Sequence, residues 1–111
     1  MRRMHLSAAI TALLLAAAST VGTAAEAPAA GERAFIHRCG MCHREGGTGT
    51  YILARRLGAE LSLLEKRRDL KPEYIRYVVR WGIVNMPRIS RVEVPDRDLD
   101  AIVTYLTAGA P

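Results

Sequence analysis

The chain is poor in sulfur, imidazole and aromatic rings: its 111 residues include two cysteines, three histidines, one phenylalanine and one tryptophan. Both cysteines fall in one short run, and there is no second C-x-x-C and no H-x-H pair to complete a four-ligand zinc site. No alternating apolar–polar stretch marks a strand. A thioredoxin-type dithiol, which belongs beside a βαβ unit, therefore has no scaffold. A disulfide across so short a gap would constrain little. The arginines are scattered and no aromatic platform accompanies them, which argues against nucleic-acid binding. No internal repeat is visible. Beyond the N-terminal stretch, no apolar run approaches the length of a membrane span.

What the chain does have is Cys39-Gly40-Met41-Cys42-His43. This C-x-x-C-H run is the attachment pattern of a c-type haem. Cysteines at i and i+3 lie on one helical face, about a turn apart. Both thiols then reach one flat macrocycle as thioethers, while the adjacent imidazole binds the iron from one side. The expected cofactor is one covalently bound haem c, with Cys39, Cys42 and His43 in its binding set.

The N-terminus has the pattern of an export signal. Met1 to His5 is short and basic, Leu6 to Thr20 is mostly apolar, and Val21 to Ala25 supplies small residues for cleavage. Residues 1–25 are expected to be a signal peptide and residues 26–111 the haem domain. An uncleaved anchor is the competing reading of the leader. Loss of Arg2 and Arg3 leaves 14 basic residues against 11 acidic ones, a mildly basic domain. A domain of that size buries only a modest core, which a large apolar cofactor would complete.

The remaining pattern is all-α. The 26–30 segment reads as a loose start. A first helix is expected from about Gly31 into Cys42, with Ala34, Phe35 and Cys39 on one stripe. Gly46 to Thr50 reads as a flexible loop. A short turn is expected over Tyr51–Leu57 before Gly58, and a weak helix over Leu61–Arg68. Pro72 to Trp81 is a clear helix, with proline at its first position, Ile75, Val78 and Val79 inward, and Gly82 as its stop. Ile83 to Val94 reads as an extended loop. Pro95 opens a last helix with Leu99, Ile102, Val103 and Leu106 buried, ending at Gly109.

A haem in an electron carrier needs a second axial ligand. After removal of the leader, the methionines left are Met41, trapped inside the attachment motif, and Met86 in the extended loop. Met86 is followed by Pro87, which stiffens the backbone presenting the sulfur. Thioether sulfur is a soft donor that favours Fe(II) and raises the potential. Ordinary core packing is the competing role for Met86, and His37 is the fallback ligand. Arg55, Arg56 and Trp81 have two roles open: contact with the haem or its propionates, or surface and core packing.

These residues resemble class I cytochrome c, the small monohaem electron carriers. The likeness runs from about Gly31 to Leu106. It is carried by Gly31-x3-Phe35-x3-Cys39 leading into C-x-x-C-H, by Gly82-x3-Met86-Pro87, and by Asp98 to Leu106. The resemblance implies the cytochrome c fold, three to five helices around one covalently attached haem. It implies that Gly31 and Phe35 pack against Tyr105 where the first and last helices cross. It also implies His43 and Met86 as iron ligands, a non-enzymatic role, and haem attachment outside the cytoplasmic membrane, hence a periplasmic protein. The implied partners are a dehydrogenase as donor and an oxidase or another cytochrome as acceptor. A stable subunit of a dehydrogenase complex is the alternative, and a haem enzyme or gas sensor a more distant one. Many relatives carry a proline after the haem motif whose carbonyl receives the proximal imidazole N–H. None stands at Gly46 to Thr50 here, which leaves that acceptor open.

Overall fold

The computed structural model describes residues 26–108, to which every structural statement below is confined. Five α-helices occur in the order α1 (Glu26–Arg38), α2 (Gly40–His43), α3 (Thr48–Leu57), α4 (Pro72–Trp81) and α5 (Asp96–Ala108). Two single 3₁₀ turns, Ala59–Leu61 and Leu64–Lys66, link α3 to α4. Among the described residues there is no strand, only an isolated antiparallel bridge between Ile83 and Met86. The fold is the all-α cytochrome c fold that the helical pattern and the resemblance imply.

The principal contact is between α1 and α5, the first and last helices. Gly31 is buried at their crossing. A Cβ there would stand 2.6 Å from Tyr105 Cβ and would also meet the Ala101 carbonyl oxygen, so the approach of the two backbones requires glycine. One turn on, Phe35 is wholly buried, and its ring centroid lies 6.0 Å from that of Tyr105 at an interplanar angle of 46°. That separation suits a tilted aromatic pair. Ile102, Leu99, Val103 and Leu106 close the α5 side of the core, and Ile75 and Val79 add α4 to it. Full burial of a side chain such as Phe35 or Ile102 contributes about 1.5–3 kcal/mol. The Tyr105 hydroxyl donates to Glu65 at 2.6 Å, which ties the second 3₁₀ turn to α5.

Several boundaries differ from the sequence expectation. Residues 26–30, expected as a loose start, already belong to α1. The helix ends at Arg38 rather than running into Cys42. Cys39 sits between the helices at φ −121°, ψ −22°, and its carbonyl receives the N–H groups of Cys42 and His43 to start α2. Thr48 to Thr50, expected in a loop, form the first turn of α3. The weak helix over Leu61–Arg68 is replaced by the two 3₁₀ turns. α4 and its stop at Gly82, φ 76°, stand as expected. The expected end of the last helix at Gly109 and the signal peptide over residues 1–25 both lie outside the described residues.

Candidate functional site

One cleft is almost wholly apolar. Its cavity volume is about 110 Å³, and it opens to solvent. Phe35, Ile75, Val79, Ile102 and Leu106 form its floor, so it is continuous with the core rather than cut into the surface. Cys39, His43 and Met86 all line it. Cys42 does not; it is exposed, and both cysteines are free thiols. The structure therefore brings together three of the four residues that the sequence nominates and leaves the fourth outside the cleft wall. His37 is exposed on α1 and does not line this cleft.

Burial sets the chemistry of the two residues from the motif that line the wall. It pushes the Cys39 thiol up to about 11, against a weaker opposing pull from Arg38, so the thiol is protonated at neutral pH. Burial also pushes the His43 imidazole down, favouring the neutral form that binds metals. His43 Nδ1 is buried without a hydrogen-bond partner. The reason lies in α3. The chain after the motif turns helical at Thr48, and Gly49 comes up against the imidazole, where a Cβ would stand 3.2 Å from Nδ1. Thr50 Oγ1 donates to the Arg44 carbonyl at 2.9 Å and fastens this turn over α2.

Met86 is presented by a clipped loop. The Ile83 and Met86 backbones bond to each other in both directions, at 3.0 and 2.8 Å. Gly82 has to be glycine for two reasons: its φ is +76°, and a Cβ would stand 2.8 Å from the Met86 carbonyl oxygen. Val84, at the tip, has φ +51°, a costly conformation for a β-branched residue. Beyond Pro87, Ile89 N–H donates to the Val79 carbonyl at 2.7 Å. Arg80 does most of the fastening. Its side chain is 13% exposed. It donates to the carbonyls of Ile89, Ser90 and Val94 at 3.1, 3.2 and 2.9 Å, and to Asp96 at 2.8 Å. Sequence reasoning missed Arg80, since an arginine in the last turn of a helix reads as a dipole partner and nothing in the loop sequence marks the carbonyls it collects.

The arginines and tryptophan left open by the sequence now separate. Arg55 turns to Tyr51, donating to its hydroxyl at 3.1 Å with the guanidinium 5.8 Å from the ring centroid. Arg56 lies at a polar mouth that adjoins the apolar cleft. Trp81 is 71% exposed and lines a different cleft, beside Tyr77, Arg88 and Arg91.

The donor set fits a covalently held haem: a thiol, a neutral imidazole and a thioether lining one apolar cleft, with a second thiol one turn away. Cys39 and Cys42 would hold the macrocycle and His43 and Met86 its iron. Among the described residues, no three His, Cys, Asp or Glu side chains cluster as a metal site of their own. Compared with protein families, residues 26–106 match the model described as cytochrome c oxidase, cbb3-type, subunit III. No curated protein and no solved structure matched the chain.

Proposed function

The chain belongs to the c-type cytochromes through that family match, and from this premise we propose that it is a periplasmic carrier of single electrons. It binds one haem c through Cys39 and Cys42, with His43 and Met86 as axial ligands, and accepts electrons from a dehydrogenase. The bound haem supplies a reversible Fe(III)/Fe(II) couple. The protein's part is to hold the ligands still and set the potential. His43, kept neutral by burial, needs no proton change when the electron arrives. The Met86 thioether favours the reduced state, and the apolar walls disfavour the more highly charged oxidised one, so both raise the potential. Arg80 and Gly82 fix the loop so that the sulfur does not have to be recruited in each cycle.

The observation that carries this reading is the convergence of Cys39, His43 and Met86 on one apolar cleft. The test is the absorption spectrum of the oxidised, haem-loaded protein. A near-infrared charge-transfer band from methionine sulfur to ferric iron is expected, and Met86→Ala should abolish it. A band that survives the substitution would refute the ligand assignment.

A stable subunit of a larger dehydrogenase is the second reading. Tyr77 and Trp81, 59% and 71% exposed beside Arg88 and Arg91, favour it, because aromatic and arginine side chains dominate binding energy at protein interfaces. Gel filtration of the protein from its own periplasm separates the two. A carrier elutes at the mass of one chain, and a subunit elutes with dehydrogenase activity at high salt.

A further inference from the structure

Helix α4 has two faces. Ile75, Val78 and Val79 line the apolar cleft that holds Cys39, His43 and Met86. Arg76, Tyr77, Arg80 and Trp81 form a stripe on the opposite side of the helix. The 88–93 segment runs along this stripe and closes a groove of about 680 Å³, open to solvent. The groove and the cleft have no lining residue in common. The second wall of the groove is held in place. Ile89 N–H donates to the Val79 carbonyl, and Arg80 donates to the carbonyls of Ile89 and Ser90. A wall that is already ordered costs little to bind against.

The groups left over in this groove are of one kind. Arg76 is taken up by Asp100 at 2.9 Å, and Arg80 by the loop carbonyls and Asp96. Arg91 gives its Nε alone to Asp96, and its side chain is 72% exposed. Arg88 is exposed and pairs with no carboxylate among the described residues. Glu93, the one acid on the wall, turns Oε2 to the Ser90 N–H at 2.9 Å. The Trp81 indole N–H and the Tyr77 hydroxyl make no hydrogen bond among the described residues, and both rings are exposed. The groove therefore offers donors and aromatic faces, which call for anionic oxygens and an apolar side chain.

We propose that this groove docks an acidic segment of a partner protein, with carboxylates on Arg88 and Arg91 and an apolar side chain against Trp81 and Tyr77. The inference rests on there being a redox partner, as both readings above require, and it names that partner's chemistry. Two guanidinium groups with donors to spare suit a pair of carboxylates. They are too few for a nucleic acid, whose affinity comes from many neutralised phosphates. Tryptophan, tyrosine and arginine are also the side chains that anchor protein interfaces. The consequence is a division of roles across one helix. The partner holds α4 from behind, and the cleft side of the same helix stays clear of the docked segment.

The experiment follows the indole N–H resonance of the chain's one tryptophan in the reduced, haem-loaded protein, which is diamagnetic. The probes are a short glutamate-rich peptide with a leucine at its centre, its glutamine counterpart, and a single-stranded oligonucleotide. The glutamate peptide should shift the Trp81 resonance saturably, and the glutamine peptide should not. Arg88→Glu should weaken the glutamate peptide by about tenfold. Arg55→Glu, an equal change of charge on α3 outside the groove, should leave its affinity unchanged. Bound peptide should leave the near-infrared methionine band of the oxidised protein unmoved. No saturable shift, or equal weakening by both substitutions, would overturn the inference. So would a methionine band displaced by the peptide, which would put the peptide at the cleft. Tighter binding of the oligonucleotide than of the peptide would overturn it in favour of a phosphate polymer. None of these results touches the carrier reading, which the Met86→Ala spectrum decides on its own.

Discussion

The two halves of this molecule are built on opposite terms. Where α1 crosses α5, protein fills protein: Gly31 admits a backbone, Phe35 meets Tyr105, and the contact is closed without help. Across the core, where α2, α3 and the 83–94 loop face one another, the wall is just as apolar but open, and Leu53, Ile83 and Met86 stay partly solvated. The first half could pack in any helical protein. On the proposed function, the second is completed by the haem. The difference says where the stability of the folded domain resides, and each experiment below presses on one half.

The largest effect is expected from withholding the haem. With its cleft walls exposed to water, the haem-free chain should show no cooperative thermal transition by circular dichroism. Cys39 and Cys42 should then react with iodoacetamide at similar rates, because burial of the Cys39 thiol depends on the packed wall. A native-like melt with Cys39 protected would mean that the open half closes on itself.

Arg80→Ala comes next. It removes donors from three loop carbonyls and from Asp96. The expected loss is about 3 kcal/mol, since the donors are charged and partly buried. The telling feature is order. In a denaturant titration of the loaded protein, the near-infrared methionine band should vanish before helicity does. Gly31→Ala presses on the other half and should cost about 2 kcal/mol, because its Cβ has no room between Ala101 and Tyr105. There the band and the helicity should be lost together. The same order in both variants would erase the distinction between the halves.

How much of this could be read from the sequence follows the same division. The helices α1 and α5 were legible from their helical period, their crossing at Gly31, Phe35 and Tyr105 came from the resemblance, and α4 was legible from Pro72 to Gly82. The candidate residues were nominated from C-x-x-C-H and, for Met86, from its being the methionine left outside that motif, and three of the four share one cleft. The start of α3 was not. Gly46 to Thr50 has loop composition, and the tertiary fastening of Thr50 to Arg44 overrode it. Arg80 was not legible either. It works through partners set by the fold, carbonyls 9 to 14 residues away.

A smaller effect, of opposite sign, is expected at the tip of the methionine loop. Val84 holds φ +51° while 71% exposed, so its side chain gives little back for the strain. Asparagine tolerates that backbone region, and Val84→Asn should stabilise the loaded protein by about 1 kcal/mol with the methionine band unchanged. A loss of stability would show that the valine side chain does packing work in the open half.

The smallest effect is expected from acid. The Arg80 and Arg91 guanidinium groups hold the Asp96 carboxyl below its ordinary range, and Arg67 holds Asp69 down at about 2. Carboxyls depressed in the folded state stabilise it above their unfolded value of about 3.9 and lose that contribution as pH falls through the folded value. Both carboxylates are exposed, so solvent screens them and the loss should be slight. Protonating Asp96 also leaves Arg80 its three loop carbonyls, which do not titrate. The methionine band should therefore persist through mild acid and go only with global unfolding at lower pH. A band lost well above about pH 4, with helicity intact, would mean that the clip on the methionine loop is an ion pair rather than a set of carbonyl contacts.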